Sequence, residues 1–223
     1  MRTAKMQLLM LLATGLLVLG LGEPRAKADP ITITFDDVPA GLTDPGEYAS
    51  DGVYLVSANS SFGVVNGLFA DFWVQSCTCA MSHPNVALGG SFDFQSPFFH
   101  DLVGFFFLPG TQVRATTNSV SFYVLGTTPG GMDPWTAVIF GKGSDDFIEI
   151  NDDRLETVSG TGDAFVSFTT PAYDIAGFLL LTSTRRESID NLSFNTPEIP
   201  EPSTILLLAT GLAGVVTKIR GHR

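Results

Sequence analysis

Leu102-Val103-Gly104-Phe105-Phe106-Phe107-Leu108, a turn at Leu108-Pro109-Gly110, and Ser119-Val120-Ser121-Phe122-Tyr123-Val124-Leu125 decide the fold. The first run is continuously apolar and short, the second alternates polar with apolar, and neither follows a helical period. Pro109 and Gly110 supply turn chemistry between them. The pattern extends outward on both sides. Strands are expected at Ile31 to Phe35, Val53 to Ser57, Phe62 to Val65, Leu68 to Val74 and Ser91 to Phe94. Beyond the quoted stretch they are expected at Thr136 to Phe140, Phe147 to Ile150, Ala164 to Phe168, Gly177 to Thr182 and Ser188 to Phe194. Asp44-Pro45-Gly46 and Thr128-Pro129-Gly130-Gly131 mark further reversals. Many short strands joined by such turns predict an all-β protein, an antiparallel β-sandwich over residues 29–196. No internal repeat or shift of composition marks a second domain within it.

At 223 residues the chain is long enough to bury a core without disulfides, and its 18 phenylalanines supply apolar bulk. Of its 12 basic and 23 acidic residues, residues 1–28 hold four and one, and residues 197–223 hold three and two. Segment 29–196 is left with five basic and twenty acidic residues, a formal charge of −15. Such a body repels phosphate backbones, which excludes nucleic acid as a partner. It is suited to cations.

The two ends read as addresses. Arg2 and Lys5 precede the apolar run Leu8 to Gly22, and Ala26-Lys27-Ala28 follows as a small-x-small site. This is the order of a secretory signal peptide, 1–28, with signal peptidase expected to cut after Ala28 and the mature chain to begin at Asp29. At the other end stand Ile199-Pro200-Glu201-Pro202-Ser203-Thr204, an apolar stretch to Val216, and Lys218-Ile219-Arg220-Gly221-His222-Arg223. The prolines bar a helix from starting before Ser203, which is available as its N-cap. The short apolar helix expected from Thr204 to Thr217 is about 21 Å long, less than the ~30 Å hydrocarbon core. It suits a temporary hold on the membrane, with the basic end inside.

Pro200-Glu201-Pro202, a short apolar helix and a basic end resemble the PEP-CTERM sorting signal, here spanning 197–223. The resemblance implies processing by exosortase, a membrane-embedded cysteine protease of exopolysaccharide-producing bacteria. The basic cluster here is interrupted, whereas family members often end in a denser arginine run. The protein is then the substrate of a protease, exported across the inner membrane and touching the membrane only through this helix before release to the cell surface or beyond.

Ile33-Thr34-Phe35-Asp36-Asp37 and Ser188-Ile189-Asp190-Asn191-Leu192-Ser193-Phe194 resemble the opening and closing strands of jelly-roll, galactose-binding-like domains. That resemblance implies a jelly-roll-like sandwich whose first and last strands are close. Asp36, Asp37 and Asp190, with the amide oxygen of Asn191, would then converge as hard oxygen ligands, the donor set of a structural Ca²⁺. The alternative is that each bonds turn amides at a strand end. Asp145-Asp146-Phe147-Ile148-Glu149-Ile150-Asn151-Asp152-Asp153 fails the EF-hand spacing and reads as solvated turns around a strand.

Cys77 and Cys79 in an exported chain read first as a local disulfide, which requires a tight loop, then as free thiols. A zinc site with His83 lacks its fourth ligand. Catalytic signatures are missing from the sequence: it has no Gly-x-Ser-x-Gly, His-Glu-x-x-His or P-loop pattern, and His83 and His100-Asp101 read as loop polar residues. Trp73, Tyr123 and Trp135 are the candidate platforms for a sugar ring. Trp135 leads because Gly130-Gly131-Met132-Asp133-Pro134 places it at a loop, and Trp135→Ala is expected to weaken binding without lowering the melting point. The functional expectation is a non-catalytic surface or matrix protein that binds or organises polysaccharide. A matrix protein without a glycan site and an extracellular hydrolase or lyase are the alternatives.

Overall fold

The computed structural model describes residues 30–61, 64–69, 71–78, 80–82, 84–93, 96–126, 133–142, 151–182 and 187–197. The expected signal peptide and tail helix lie outside these residues, as does the expected strand Phe147 to Ile150. The described strands are β1 (Pro30–Ile33), β2 (Gly41–Thr43), β3 (Val53–Ser61), β4 (Val64–Phe69), β5 (Phe72–Ser76), β6 (Asn85–Asp93) and β7 (Ser96–Phe106). They continue with β8 (Ser119–Leu125), β9 (Pro134–Gly141), β10 (Arg154–Thr161), β11 (Ala164–Thr169), β12 (Ile175–Thr182) and β13 (Ser188–Asn195). The protein is an all-β antiparallel sandwich.

One sheet runs β2-β5-β6-β13-β8-β11, with β1 sharing one side of β13 with β6. The other runs β4-β3-β7-β12-β9-β10. The far halves of β6 and β7 pair with each other from Gly89 opposite His100 to Asp93 opposite Ser96, and this hairpin joins the two sheets. The first and last strands are neighbours, as the resemblance of their sequences implied: Pro30 lies opposite Asn195 and Ile33 opposite Leu192.

Composition explains how each sheet is covered. In β8 the inward side chains Val120, Phe122 and Val124 are fully buried, whereas Ser119, Ser121 and Tyr123 on the outward side are half-buried. This alternation is that of a sheet with one covered face. The first six residues of β12, Ile175-Ala176-Gly177-Phe178-Leu179-Leu180, are all buried. Phe178 and Leu180 join the main core between the sheets with Phe106, Ile139, Phe122, Val166 and Phe194. Leu179 and Ala176 join a second cluster with Val103, Val138 and Phe140, on the other face of the same sheet. Two apolar faces require a continuous apolar run, and β12 has one. Its Gly177 is fixed by crowding, because a Cβ there would strike the Gly104 carbonyl and stand 2.5 Å from the Phe140 ring.

Several strand limits differ from expectation. Leu68 to Val74 is two strands, β4 and β5, because the chain breaks at Asp71, whose carbonyl accepts the Ser57 N–H at 2.9 Å and the Ser57 hydroxyl at 2.6 Å. Ser91 to Phe94 overlaps the far end of a longer β6. β2 and β10 were not expected.

Candidate functional site

The outer face of the first sheet gathers side chains in rows, because strands in register place opposite residues on the same face. Phe165 on β11 lies opposite Tyr123 on β8, which lies opposite Asp190 on β13. One step along, Ser167, Ser121, Ser193 and Thr32 follow one another across β11, β8, β13 and β1. A further step brings Thr169 opposite Ser119 and Asn195 opposite Pro30. Phe165 is 58% exposed, and its ring centroid is 5.0 Å from that of Tyr123 at 52°. Thr32 and Ser193 hydroxyls are 3.2 Å apart, and Asn195 Nδ2 donates to Asn118 Oδ1 at 2.6 Å.

The row of Asp190 is closed off by the loop between β5 and β6. Asp190 is fully buried; Oδ2 accepts the Ser82 N–H at 2.8 Å, and Oδ1 accepts the Ser82 hydroxyl and its neighbour Asn191 N–H, each at 2.7 Å. Asn191 adopts φ 50°, a left-handed conformation that asparagine tolerates, where the register of β13 against β8 shifts between Asp190 and Ser193. The first residue of β6 reaches the turn after β1, where Asn85 N–H donates to Asp36 Oδ1 at 2.9 Å and Asn85 Nδ2 to the Val38 carbonyl at 2.8 Å. Asp37 Oδ1 accepts the Tyr48 hydroxyl at 3.0 Å. Burial, then the hydrogen bond and the charge of Asp37, push the Tyr48 phenol well above its usual range. Phe35, between these residues, has φ 66° and is fully buried edge-on to Tyr48 at 5.5 Å. A left-handed aromatic costs about 1–2 kcal/mol, a strain that its burial offsets.

These hydrogen bonds are those of the alternative to calcium, in which each carboxylate bonds donors at a strand end. Asp36, Asp37 and Asp190 each direct carboxylate oxygens at a different N–H or O–H donor, and Asn191 contributes its backbone N–H to Asp190. Among the described residues no group of three or more His, Cys, Asp or Glu side chains is placed to hold a metal ion. A structural Ca²⁺ would need six to eight oxygens converging on one point.

Of the expected sugar platforms, Tyr123 and Trp73 share the outer face of the first sheet, with β6 and β13 between their strands. Trp73 is half-buried, opposite Leu88 and the 45% exposed Leu42. Trp135 is corrected from platform to core. It is the second residue of β9 rather than a loop residue, 5% exposed, and its Nε1–H donates to the Gly162 carbonyl at 2.8 Å. Sequence reasoning missed Phe165 because Phe165 and Phe168 sit in one short strand on opposite faces, and only pairing with β8 tells which is outside.

Cys77 is half-buried and disulfide-bonded, its N–H donating to the Pro84 carbonyl at 2.8 Å; Cys79 and His83 lie outside the described residues. Asp101 is buried on β7, not in a loop, and accepts the Thr182 N–H at 2.8 Å. Within the second acidic stretch, Asn151-Asp152-Asp153 form a turn with Asp152 exposed, and residues 145–150 lie outside the described residues. Pro200, Glu201 and Pro202 also lie outside them.

No curated protein matches the chain in sequence. Among solved structures it is similar to the K2 cleaved adhesin domain of Lys-gingipain, at 14% identity and TM-score 0.41 over 74% of this chain and 97% of that one. It is similar to the CBM22-1 xylan-binding domain of Xyn10C from Paenibacillus barcinonensis, at 11% identity and TM-score 0.35 over 75% and 94%. A family 29 carbohydrate-binding module from Piromyces equi aligns at 8% identity and TM-score 0.33 over 65% and 91%. The specific match is at the end of the chain: residues 198–220 match the PEP-CTERM protein-sorting motif, so a sorting signal begins directly after Pro197, where the sandwich ends.

Proposed function

We propose that this protein is exported, held for a time by its C-terminal segment, cut there by exosortase, and left at the cell surface or in the extracellular matrix as a non-catalytic polysaccharide-binding sandwich. The sorting half of the reading is supported by the motif at residues 198–220. The binding half is carried by one observation, the exposed Phe165 ring packed against Tyr123 on an open sheet face. A phenylalanine more than half exposed gains little from the core, whereas an open ring beside a phenol offers an apolar surface to one face of a pyranose.

Binding is tested by affinity electrophoresis of mature protein against exopolysaccharide from the producing cells. Phe165→Ala should weaken retention about tenfold, ~1.4 kcal/mol, with an unchanged melting point. Retention equal to that of the parent would leave a matrix protein without a site at this face. Sorting is tested by mass spectrometry of extracellular material, which should find a chain that starts at Asp29 and lacks the residues after Pro200-Glu201-Pro202. Intact Arg223 on mature surface protein would refute it.

A further inference from the structure

We infer that the outer face of the first sheet takes an uncharged polysaccharide chain lying across β11, β8, β13 and β1; this rests on the glycan-binding function proposed above and specifies its ligand. The first observation is a contrast of charge. Segment 29–196 has a formal charge of −15, yet the rows on this face are made of hydroxyls, amides, a proline and two aromatic rings. The acidic side chain that faces the same way, Asp190, is fully buried beneath Ser82. A ligand bearing carboxylates or phosphates would need cations to meet it, and these rows hold none. A second copy of this chain would bring two strongly acidic bodies together with no cation between them at the contact.

The second observation is the row Ser167, Ser121, Ser193 and Thr32, which crosses four strands. At ~4.8 Å per strand it extends about 14 Å, longer than one pyranose ring, so its natural complement is a chain of them. Each hydroxyl both donates and accepts, and so does each sugar hydroxyl, so the two sets pair in either sense without a buried unmatched group. Thr32 and Ser167, at the ends of the row, are exposed. β11 pairs with β8 over six consecutive residues without a register shift, which keeps this part of the face regular. The Phe165–Tyr123 pair stands one step above the row and supplies stacking where the row supplies hydrogen bonds.

The test measures binding of mature full-length protein to cellulose, xylan, galactomannan and the acidic polymer polygalacturonate at low and high salt, for the parent, Phe165→Ala and the double variant Ser121→Ala/Ser193→Ala. The expected result is retention by at least one of the three neutral polymers, independent of salt, with no retention by polygalacturonate. The double variant should lose at least tenfold in affinity, with its melting point within about 2 °C of the parent's and its sedimentation unchanged. If Phe165→Ala weakens binding and the double variant does not, the ligand does not lie on the hydroxyl row; the inference falls while the proposed function stands. Preference for polygalacturonate overturns the uncharged ligand. A change from dimer to monomer in the double variant makes the face a self-contact and overturns the inference. Binding to none of the polymers, and none to the cells' own exopolysaccharide, overturns the glycan reading itself.

Discussion

Replacing Trp135 by alanine should unfold the protein at a lower temperature rather than disable a binding surface. Trp135 is 5% exposed, belongs to the core between the sheets, and donates Nε1–H to the Gly162 carbonyl at 2.8 Å. Deleting a buried tryptophan costs about 3–5 kcal/mol. For a domain of this size each kcal/mol shifts the melting point by roughly 2–4 °C, so the loss should be about 6–20 °C. Gly160, its partner on β10, provides an internal control. A Cβ on Gly160 would run into the Trp135 indole, with Cη2 at 2.8 Å, so Gly160→Ala should destabilise the parent and cost far less beside Trp135→Ala. Urea unfolding of the two single variants and the double variant completes the cycle, and a coupling of at least ~1 kcal/mol is expected for residues in such contact. A Trp135→Ala protein that melts within 2 °C of the parent but no longer binds polysaccharide would refute the core assignment and restore the platform.

Two further perturbations probe the corner where β1 and β13 meet the Ser82 loop. Asp190→Ala should cost about 1–3 kcal/mol, because it takes the acceptor from the partly buried N–H groups of Ser82 and Asn191, whereas a chelator should leave the melting point of the parent unchanged; a drop of several degrees on chelation would favour calcium. Tyr48 keeps its proton in the folded state beyond the pH near 10 at which the unfolded chain releases it. The stability it contributes is therefore intact below pH 10 and declines above it, by up to about 1.4 kcal/mol per pH unit. Calorimetry of the parent and Tyr48→Phe between pH 8 and 11.5 should show the steeper decline in the parent, and parallel curves would contradict it.

The sandwich was legible in the sequence wherever one physical pattern dominated. Ser119 to Leu125 alternates because only one of its faces is covered, and Gly177 to Thr182 is nearly all apolar because both of its faces are. Arg154-Leu155-Glu156-Thr157-Val158-Ser159-Gly160-Thr161 escaped notice because β10 is an edge strand whose side chains are mostly exposed, so burial imposes no pattern on it. Trp135 was misplaced because its glycine- and proline-rich approach was read as continuing through it, whereas Pro134 is the first residue of β9, a position that needs no N–H for the ladder. Asp36, Asp37 and Asp190 were expected to converge, but composition does not reveal that Asn85, Tyr48 and Ser82 are the donors that each of them meets. The hydroxyl row was unreadable in one dimension, since its members come from segments as far apart as Thr32 and Ser193.

The strand that leads out to the sorting signal is also part of the candidate binding face. β13 is flanked on one side by β8 and on the other by β6 and β1, and Ser193 and Asn195 face outward from it just before Pro197. Whatever is joined to the chain beyond Pro197, and whatever adheres to that face, therefore pull on the same strand. Ladder bonds lie perpendicular to the strand in an antiparallel sheet, so a tug along β13 shears its rungs together instead of peeling them one by one. Load taken up by β11, β8 and β1 converges on β13 through these ladders before it reaches the tail.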